Sequence, residues 1–364
     1  MPLPAVRPEQ YGALLNAKCA RVKDLLEAYS PPTPEVFASE ALAFRMRAEF
    51  RMWHRGDGLD YVMFDPDDPR NPIPVESFPI ACTPIQQKMS PLRDRLTKTK
   101  ILRNKLFQVE FLSSLAGDTL ITLIYHRPLG SEWENEARTL AAQLGVAIVG
   151  RSRKQKIVVG KDFVEEILPV TGRNFFYRQY EQSFTQPNAG INIKMLEWAC
   201  EQASICSGDL LELYCGNANF TLPLSRHFEY VVATEVAKTS VRAARENVAA
   251  NEIENVEIVR LSAEEVVQAL RQERPFRRLA ALPKPLHEYE LNTLFVDPPR
   301  AGLDDKTVAI AAGFNTVLYI SCNPMSLQAN LETLCATHNV ASFALFDQFP
   351  YTDHMECGVL LQRK

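Results

Sequence analysis

Short apolar runs alternate with helical patterns through the second half of the chain, and this alternation limits its possible folds most strongly. The strand-like runs are Leu210–Tyr214, Tyr230–Glu235, Val256–Val259, Leu294–Asp297, Val317–Cys322, Phe343–Phe346 and Gly358–Leu361. Continuous apolar strands separated by helices predict a mostly parallel sheet that is covered on both faces. Because ligands bind such sheets at the carboxyl ends of the strands, we expect the functional residues at that edge.

The first half has a different, hairpin-rich pattern that predicts an α+β domain. Residues 44–53 alternate apolar and charged side chains, which predicts a half-buried strand with a mainly basic outer face. A second hairpin is expected from Leu106–Leu112 and Thr119–Tyr125. Ser131 with Glu134 forms a capping-box pattern, which predicts a helix that ends near Leu144. No linker marks the boundary between the two patterns. We divide the chain into a first domain of residues 1–180 and a second of residues 181–364.

Length and composition indicate a globular protein of about two domains. The chain has 364 residues, of which 46% are hydrophobic and 23% are charged. It has no apolar stretch near the ~18 residues of a membrane span, and its first residues do not resemble a signal peptide. We therefore expect a cytoplasmic protein without a membrane partner. The eight cysteines include no CxxC pair, which disfavours a metal or iron–sulfur site.

Positive charge is concentrated in the first half, although the net charge is −4. One basic cluster comprises Lys88, Arg93, Arg95, Lys98, Lys100, Arg103 and Lys105, and another comprises Arg151, Arg153, Lys154, Lys156 and Lys161. Either cluster alone is more typical of a solvated surface. Their distribution matters more than the net charge, however, and it leaves a nucleic-acid partner open.

The turn after the first apolar strand is a candidate cofactor site. Gly216 lets the backbone approach a ligand closely, and Glu235 ends the second strand, where a carboxylate can accept hydrogen bonds from ribose hydroxyls. One glycine makes a poor cradle for a pyrophosphate, so a dinucleotide is disfavoured. The pattern alone leaves a nucleoside cofactor and a plain α/β turn about equally open.

Three further side chains occur at ends of apolar strands. Asp297 precedes two prolines, which stiffen the chain as it leaves its strand. Cys322 ends the next strand, and a thiolate there would be a nucleophile. Glu356 precedes the last strand in an apolar setting that would raise the pKa of its carboxyl toward values useful for a general base. A buried cysteine and an exposed carboxylate remain the alternatives for Cys322 and Glu356.

Five segments together resemble the RNA 5-methyluridine methyltransferase family, and most closely its bacterial tRNA (uracil-5-)-methyltransferases. They are Phe184–Asn188, the turn at residues 211–217, Asp297-Pro-Pro-Arg300, Ser321-Cys-Asn-Pro324 and His354-Met-Glu-Cys357. Several motifs in the same order are more specific than any one of them. One departure is Ala218, because the family's turn usually has glycine there.

The resemblance implies a fold, a reaction and a set of site residues. It implies a class I (Rossmann-like) methyltransferase domain that uses S-adenosyl-L-methionine, preceded by an RNA-binding domain. The implied reaction converts uridine 54 in the T-loop of the tRNA T-arm to ribothymidine (m5U54), with tmRNA as a second candidate substrate. Cys322 would be the nucleophile and Glu356 the general base, in a monomer. The implied cofactor contacts are Gln186, Tyr214, Asn219, Glu235 and Asp297, and the candidate RNA contacts are Arg45, Arg47, Arg51 and Phe107.

Other functions remain open from the sequence. The ribosomal-RNA enzymes of this family often carry a cysteine-rich iron–sulfur motif and an extra N-terminal barrel, and neither occurs here, which favours tRNA. A methyltransferase acting on a ring or exocyclic nitrogen would not need Cys322. A non-catalytic RNA-binding or chaperone protein would need neither Cys322 nor Glu356.

Overall fold

The protein is described by a computed structural model that covers residues 6–65 and 68–364. The strands in this part are β1 Glu35–Phe37, β2 Arg47–Arg55, β3 Gly58–Asp65, β4 Asp68–Pro74, β5 Leu106–Ser113, β6 Thr119–Tyr125, β7 Ala147–Ser152, β8 Gln155–Val159, β9 Phe163–Val170, β10 Arg173–Tyr180, β11 Asp209–Leu213, β12 Val231–Thr234, β13 Val256–Val259, β14 Leu291–Val296, β15 Thr316–Ser321, β16 His338–Phe346 and β17 Glu356–Arg363. The helices are α1 Tyr11–Leu26, α2 Thr83–Lys98, α3 Lys100–Arg103, α4 Ser131–Leu144, α5 Ala189–Ala203, α6 Thr221–Leu224, α7 Lys238–Ala250, α8 Ala263–Leu270, α9 Asp305–Ala311 and α10 Pro324–Leu334.

The chain forms two compact units. The N-terminal unit contains residues 40–167 and 179–189, and the C-terminal unit contains residues 10–39, 168–178 and 190–364. This division differs from two contiguous domains that meet at residue 180, because residues 10–39 lie in the C-terminal unit. The physical reason is the apolar face of α1, whose Leu15, Cys19, Val22 and Leu26 are buried in that unit's core.

The C-terminal unit is built on a sheet of eight strands in the order β1-β16-β17-β15-β14-β11-β12-β13. Strands β11 to β15 pair in parallel, whereas β17 pairs antiparallel with both β15 and β16. The predicted α/β fold with a mostly parallel sheet is confirmed. All seven predicted strands are present, and the largest difference in bounds is that β16 begins at His338 rather than Phe343.

The N-terminal unit contains a seven-stranded sheet in the order β4-β3-β2-β5-β6-β7-β8. Neighbouring strands of this sheet are antiparallel except β6 and β7, which are parallel and are connected by helix α4 as a crossover. The predicted basic strand is β2, whose alternate residues Phe50 and Met52 are buried. The predicted second hairpin is β5 and β6.

The capping box predicted at Ser131 is wrong. Helix α4 does end at Leu144, but its N-cap is Gly130, and no side chain caps it. The amide of Glu134 donates instead to the carbonyl of Gly130, at 3.1 Å. Ser131 is therefore the first helical residue, one position too late for its hydroxyl to act as the cap.

Asn247 of α7 and Asn251, the residue that caps its C-terminus, hold the hairpin of β9 and β10, which no local sequence pattern predicts. Asn251 accepts from the amide of Phe176 at 2.9 Å and donates to its carbonyl at 2.7 Å, and Asn247 accepts from the amide of Arg178 at 2.8 Å. Asn247 also donates to the carbonyl of Asn217 at 2.9 Å. The helix therefore connects the hairpin to the turn after β11.

None of the helices in the described part of the chain combines the length and the apolar character needed to cross a membrane.

Candidate active site

Four strands of the C-terminal unit bring the predicted catalytic side chains to one edge of the sheet. In the parallel pairs, Leu213 lies opposite Val296, so the residues that follow β11 and β14 leave the sheet at the same edge. Strand β15 runs alongside β14 and ends one residue before Cys322. Because β17 is antiparallel to β15, its first residue, Glu356, also lies at this edge.

Burial and negative charge dominate the electrostatics of Cys322 and Glu356. Only 3% of Glu356 is exposed, and this burial, reinforced by the negative charge of Asp297, raises the pKa of its carboxyl well above the usual value. Burial, then Glu356 and then Asp297, raises the pKa of the Cys322 thiol to about 12. The positive charge of Arg300 lowers both pKa values. The thiol and the carboxyl are therefore electrostatically coupled.

Hydrogen bonds of Asn323 connect the loop after β14 to the start of α10. Asn323 caps α10 by accepting from the amide of Met325 at 3.2 Å, and it donates to the carbonyl of Arg300 at 2.9 Å. The guanidinium of Arg300 lies 3.4 Å from the ring nitrogen Nδ1 of His354. These hydrogen bonds hold the Asp297-Pro-Pro-Arg300 loop beside the end of β15. The charge of Arg300 is thereby positioned near Cys322.

The carboxylate of Glu235 is oriented by three backbone amides. It accepts from Gly216 at 3.1 Å, from Val236 at 2.8 Å and from Ala237 at 2.7 Å. The first of these bonds connects the end of β12 to the turn after β11. The position where a Cβ would stand on Gly216 has no atom within 4 Å, so the turn leaves open space beside a fixed carboxylate.

Asn219 is held by an amide pair that the sequence analysis missed. Its side chain donates to Asn192 at 2.8 Å and accepts from Asn192 at 2.9 Å, and its carbonyl accepts from the hydroxyl of Tyr177 at 3.0 Å. Asn192 lies on α5 and is buried. No local pattern marks it, because its partner is 27 residues away.

Two further acidic groups lie in or beside the strands that form this edge. Burial raises the pKa of Asp297 to about 7. Burial also raises the pKa of Glu212 to about 8, and the negative charge of Asp297 acts in the same direction. Glu212 was not predicted, although a carboxylate inside the otherwise apolar run of β11 was a visible signal. Burial therefore favours the protonated form of these carboxyls.

Gln186, the remaining predicted cofactor contact, lies in the N-terminal unit, in the segment between β10 and α5, and is half-buried. Tyr214 directly follows β11 with a positive φ of 62°, and it is also half-buried. No group of three or more potential metal ligands occurs among the residues that the structure describes.

The predicted RNA contacts in and beside β2 differ in their surroundings. Arg47 donates to the backbone carbonyls of Ser183, at 2.8 Å, and Glu181, and the Nε of Arg45 donates to the carbonyl of Arg47 at 2.8 Å. Both guanidinium groups are therefore engaged within the N-terminal unit. Arg51 is exposed and covers another predicted residue, Phe107.

The half-buried ring of Phe107 forms a stack with two exposed side chains, Arg51 and His126. The guanidinium carbon of Arg51 lies 3.7 Å from the centre of the Phe107 ring. His126 stacks on Phe107 with ring centres 4.1 Å apart and an interplanar angle of 27°. A groove of about 430 Å³ next to the stack is lined by Met52, His54, Lys105, Leu106, Phe107 and His126. No local sequence pattern marks His126, whose partner in the stack is 19 residues away.

Comparison with known proteins agrees with this arrangement. The sequence profile of the tRNA (uracil-5-)-methyltransferase family matches residues 10–364. The chain belongs to this family. The matched range includes the segments that form the sheet edge with Cys322 and Glu356.

Individual relatives are similar over their full length. The tRNA/tmRNA (uracil-C(5))-methyltransferase of Aromatoleum aromaticum is 54% identical over 364 residues, which cover 100% of this chain and 98% of that protein. The protein of the same name from Azotobacter vinelandii is also 54% identical, with 100% of both chains covered. Among solved structures, the Pyrococcus abyssi tRNA (uracil-54, C5)-methyltransferase in complex with S-adenosyl-L-homocysteine has a TM-score of 0.73 at 19% identity, covering 96% of this chain and 83% of that one. This likeness confirms the fold.

Ala218 adopts a left-handed backbone conformation, with a φ of 70°, although it is not glycine. Left-handed backbone costs an alanine about 1–2 kcal/mol, part of which the greater freedom of unfolded glycine offsets. We expect Ala218→Gly to raise the free energy of unfolding by about 0.5–1 kcal/mol, measured by urea denaturation. Ala244→Gly, in helix α7, is the matched control and should lower it by about 1 kcal/mol. A lower stability for Ala218→Gly would contradict the strain at this turn.

Proposed function

We propose that this protein methylates C5 of a uridine in tRNA, with S-adenosyl-L-methionine as the methyl donor. The observation that supports this most directly is the pairing of a thiol, Cys322, with a buried carboxyl, Glu356, at the carboxyl edge of the parallel sheet. C5 of uracil is a weak nucleophile, so its methylation needs both a nucleophile for C6 and a base for the C5 proton. Membership of the tRNA (uracil-5-)-methyltransferase family supports the same reaction.

The proposed target is uridine 54 in the T-loop, and the equivalent uridine of tmRNA is included. The relatives from Aromatoleum and Azotobacter are named for both tRNA and tmRNA. The Pyrococcus protein is named for uracil 54. A loop base can be turned out of its stack for a few kcal/mol at most, which makes a loop uridine accessible to a thiol at a sheet edge.

The turn after β11 fits a nucleoside cofactor. The carboxylate of Glu235, fixed by three amides, is suited to accept hydrogen bonds from two ribose hydroxyls. Open space beside Gly216 admits the ligand close to the backbone. Tyr214, Asn219, Asp297 and Gln186 complete the proposed set of contacts. When bound, S-adenosyl-L-methionine supplies a methyl group activated by a positively charged sulfur.

The chain's own residues account for the other steps. The thiolate of Cys322 forms a bond to C6, and the electron pair of the C5–C6 double bond moves toward C5 and the O4 carbonyl as an enolate. After C5 has gained its methyl group, a carboxylate oxygen of Glu356 removes the C5 proton. The electron pair of that C–H bond restores the C5–C6 double bond, and the Cys322 sulfur leaves as a thiolate. Burial of Glu356 keeps water away from the proton that it removes.

We expect Cys322→Ala to abolish release of tritium from a T-arm stem-loop labelled at C5 of its uridines, because no C6 adduct can form. Glu356→Gln should reduce release by at least ~100-fold and leave a covalent RNA–protein adduct on a denaturing gel, because only the last proton removal is blocked. The measurement is tritium counted in water in the presence of S-adenosyl-L-methionine.

Cys335→Ala, which replaces a half-buried cysteine on the same unit, is the matched control and should release tritium as the wild type does. Normal release by Cys322→Ala would contradict a cysteine mechanism and favour methylation of a nitrogen. Inactivity of the wild type on the T-arm, with activity on ribosomal RNA, would move the substrate to that RNA.

The pH dependence of kcat/KM should report the acidic surroundings of Cys322. Its thiol is protonated below a pKa of about 12, and the raised pKa of Glu356 acts in the same direction, so kcat/KM should rise from pH 7 to pH 9. Because Arg300 lowers both pKa values, Arg300→Gln should displace the profile to higher pH and reduce the rate at pH 7.5 by about 3- to 10-fold. Arg300→Lys retains the charge and should retain most of the rate. An undisplaced profile for Arg300→Gln would show that its charge does not act on the thiol.

The stack of Arg51, Phe107 and His126 is the proposed surface for the opened RNA loop. Flat, exposed side chains of this kind stack on unpaired bases, and the guanidinium adds positive charge for the phosphates. Arg45 and Arg47 contribute less to RNA binding, because their guanidinium groups already donate to backbone carbonyls. Their contribution is chiefly the positive potential of the surface.

We expect Phe107→Ala to weaken T-arm binding about 5- to 100-fold, as measured by fluorescence anisotropy, because it removes the ring on which Arg51 and His126 are stacked, and base stacking on such a surface contributes about 1–3 kcal/mol. The loss should persist when salt concentration is raised, since stacking carries no charge. Phe176→Ala removes an exposed phenylalanine of the C-terminal unit and should bind as the wild type does. Equal binding by both variants would exclude Phe107 from the RNA surface.

A further inference from the structure

A lysine of α1 lies buried in the C-terminal unit with its ammonium fully engaged. Lys18 is 5% exposed and forms an ion pair with Asp347, which is fully buried. The same Nζ donates to the backbone carbonyls of Phe349, at 3.2 Å, and His354, at 3.0 Å. An ammonium has three protons, and each has an acceptor here.

All three acceptors belong to one loop, residues 347–355, which connects β16 to β17. The loop starts directly after Phe346, and Phe346 lies opposite Glu356 in the antiparallel pair of β16 and β17. Asp347 is the first residue of the loop and His354 is the last but one. The loop therefore closes around the ammonium of Lys18, and the first residue after it is Glu356.

A second, exposed residue of α1 contacts the same loop. Arg21 donates to the backbone carbonyl of Asp353 and lies 3.3 Å from its carboxylate. The side chain of Met355, between the loop's last anchor and Glu356, is fully buried in the core that also contains Leu15 and Cys19 of α1. Polar anchors and apolar packing from one helix thus hold the chain immediately before Glu356.

We propose that Lys18 is a positioning residue for Glu356, which it orients by fixing the loop of residues 347–355. The inference rests on the proposed function, in which Glu356 removes the C5 proton. Proton transfer requires the carboxylate within hydrogen-bond distance of that proton, and an error of about 1 Å can slow a reaction by ~100-fold. Burying an ion pair often adds no net stability, so a role in geometry accounts for its presence better than a role in stability.

The test is a double variant that removes both buried charges. Lys18→Met with Asp347→Asn leaves no unpaired ion in the core but also leaves the carbonyls of Phe349 and His354 without their donor. We expect kcat to fall about 10- to 100-fold, with the KM values for the T-arm and for S-adenosyl-L-methionine changed less than about twofold. Because proton removal becomes the slow step, the RNA–protein adduct should accumulate on a denaturing gel. Lys23→Met, at an exposed position of α1, is the matched control and should behave as the wild type.

A folded double variant with wild-type kcat and no adduct overturns the proposal. An equal loss in kcat and in the fraction of folded protein, without adduct, also overturns it, because that result indicates a purely structural role. If the double variant does not fold, Arg21→Gln decides, since Arg21 is exposed and its loss spares the core. We expect its kcat to fall about 2- to 5-fold with adduct accumulation, and a kcat equal to that of Lys23→Met overturns the proposal.

Glu356→Gln separates this inference from the proposed function. If Glu356→Gln retains tritium release, the assignment of the base fails, whatever the result at Lys18. If Glu356→Gln loses release and traps the adduct while the double variant has wild-type kcat, only the positioning role fails.

Discussion

The antiparallel strand β17, inserted between β16 and β15 in an otherwise parallel sheet, is the constraint on which the proposed site depends. A parallel strand at this position would present its carboxyl end beside Cys322, and its first residue would lie at the opposite edge. The antiparallel direction instead brings Glu356, the first residue of β17, to the edge where β11, β14 and β15 end. The thiol and the carboxyl therefore meet through strand direction rather than through a flexible loop.

Burial, followed by neighbouring negative charge, raises the pKa of both proposed catalytic residues at this edge. Burial is the main cause of the raised pKa of Glu356, Asp297 and Glu212, and it favours their protonated forms near neutral pH. It also opposes formation of the Cys322 thiolate. Arg300, held by Asn323, is a positive charge that favours the thiolate and the carboxylate together. The same surroundings thus raise the pKa of the proposed base, Glu356, and that of Cys322, although thiolate formation requires a lowered pKa at Cys322.

The features that were predictable from sequence are those with local signals. Apolar runs located the strands of the C-terminal unit, and the residues at their ends, Asp297 and Cys322, formed the edge as expected. The alternation in residues 44–53 predicted β2 equally well. The prediction at Ser131 placed the N-cap one residue too late. The hydrophobic pattern could not correct it, because a helix start can move by one residue without altering that pattern.

Other features depend on contacts between distant residues or on backbone conformation. Asn192 and Lys18 resemble ordinary residues of amphipathic helices, and only the fold shows what each of them holds. Nothing in the composition predicts the positive φ of Ala218, although the family's turn usually has glycine at this position. The placement of residues 10–39 in the C-terminal unit depends on the strand pair β1 and β16, whose members are about 300 residues apart in the chain.

That long separation has a consequence for biosynthesis. Lys18 and Asp347 are 329 residues apart, and a ribosome that adds ~5–20 residues per second needs on the order of 20–60 s to cover this distance. Throughout that interval α1 exists without the core that covers Leu15 and Val22, while residues 40–189 are made and available to fold. The apolar face of α1 thus gains its packing partners only after the last strands of the C-terminal unit have been synthesised.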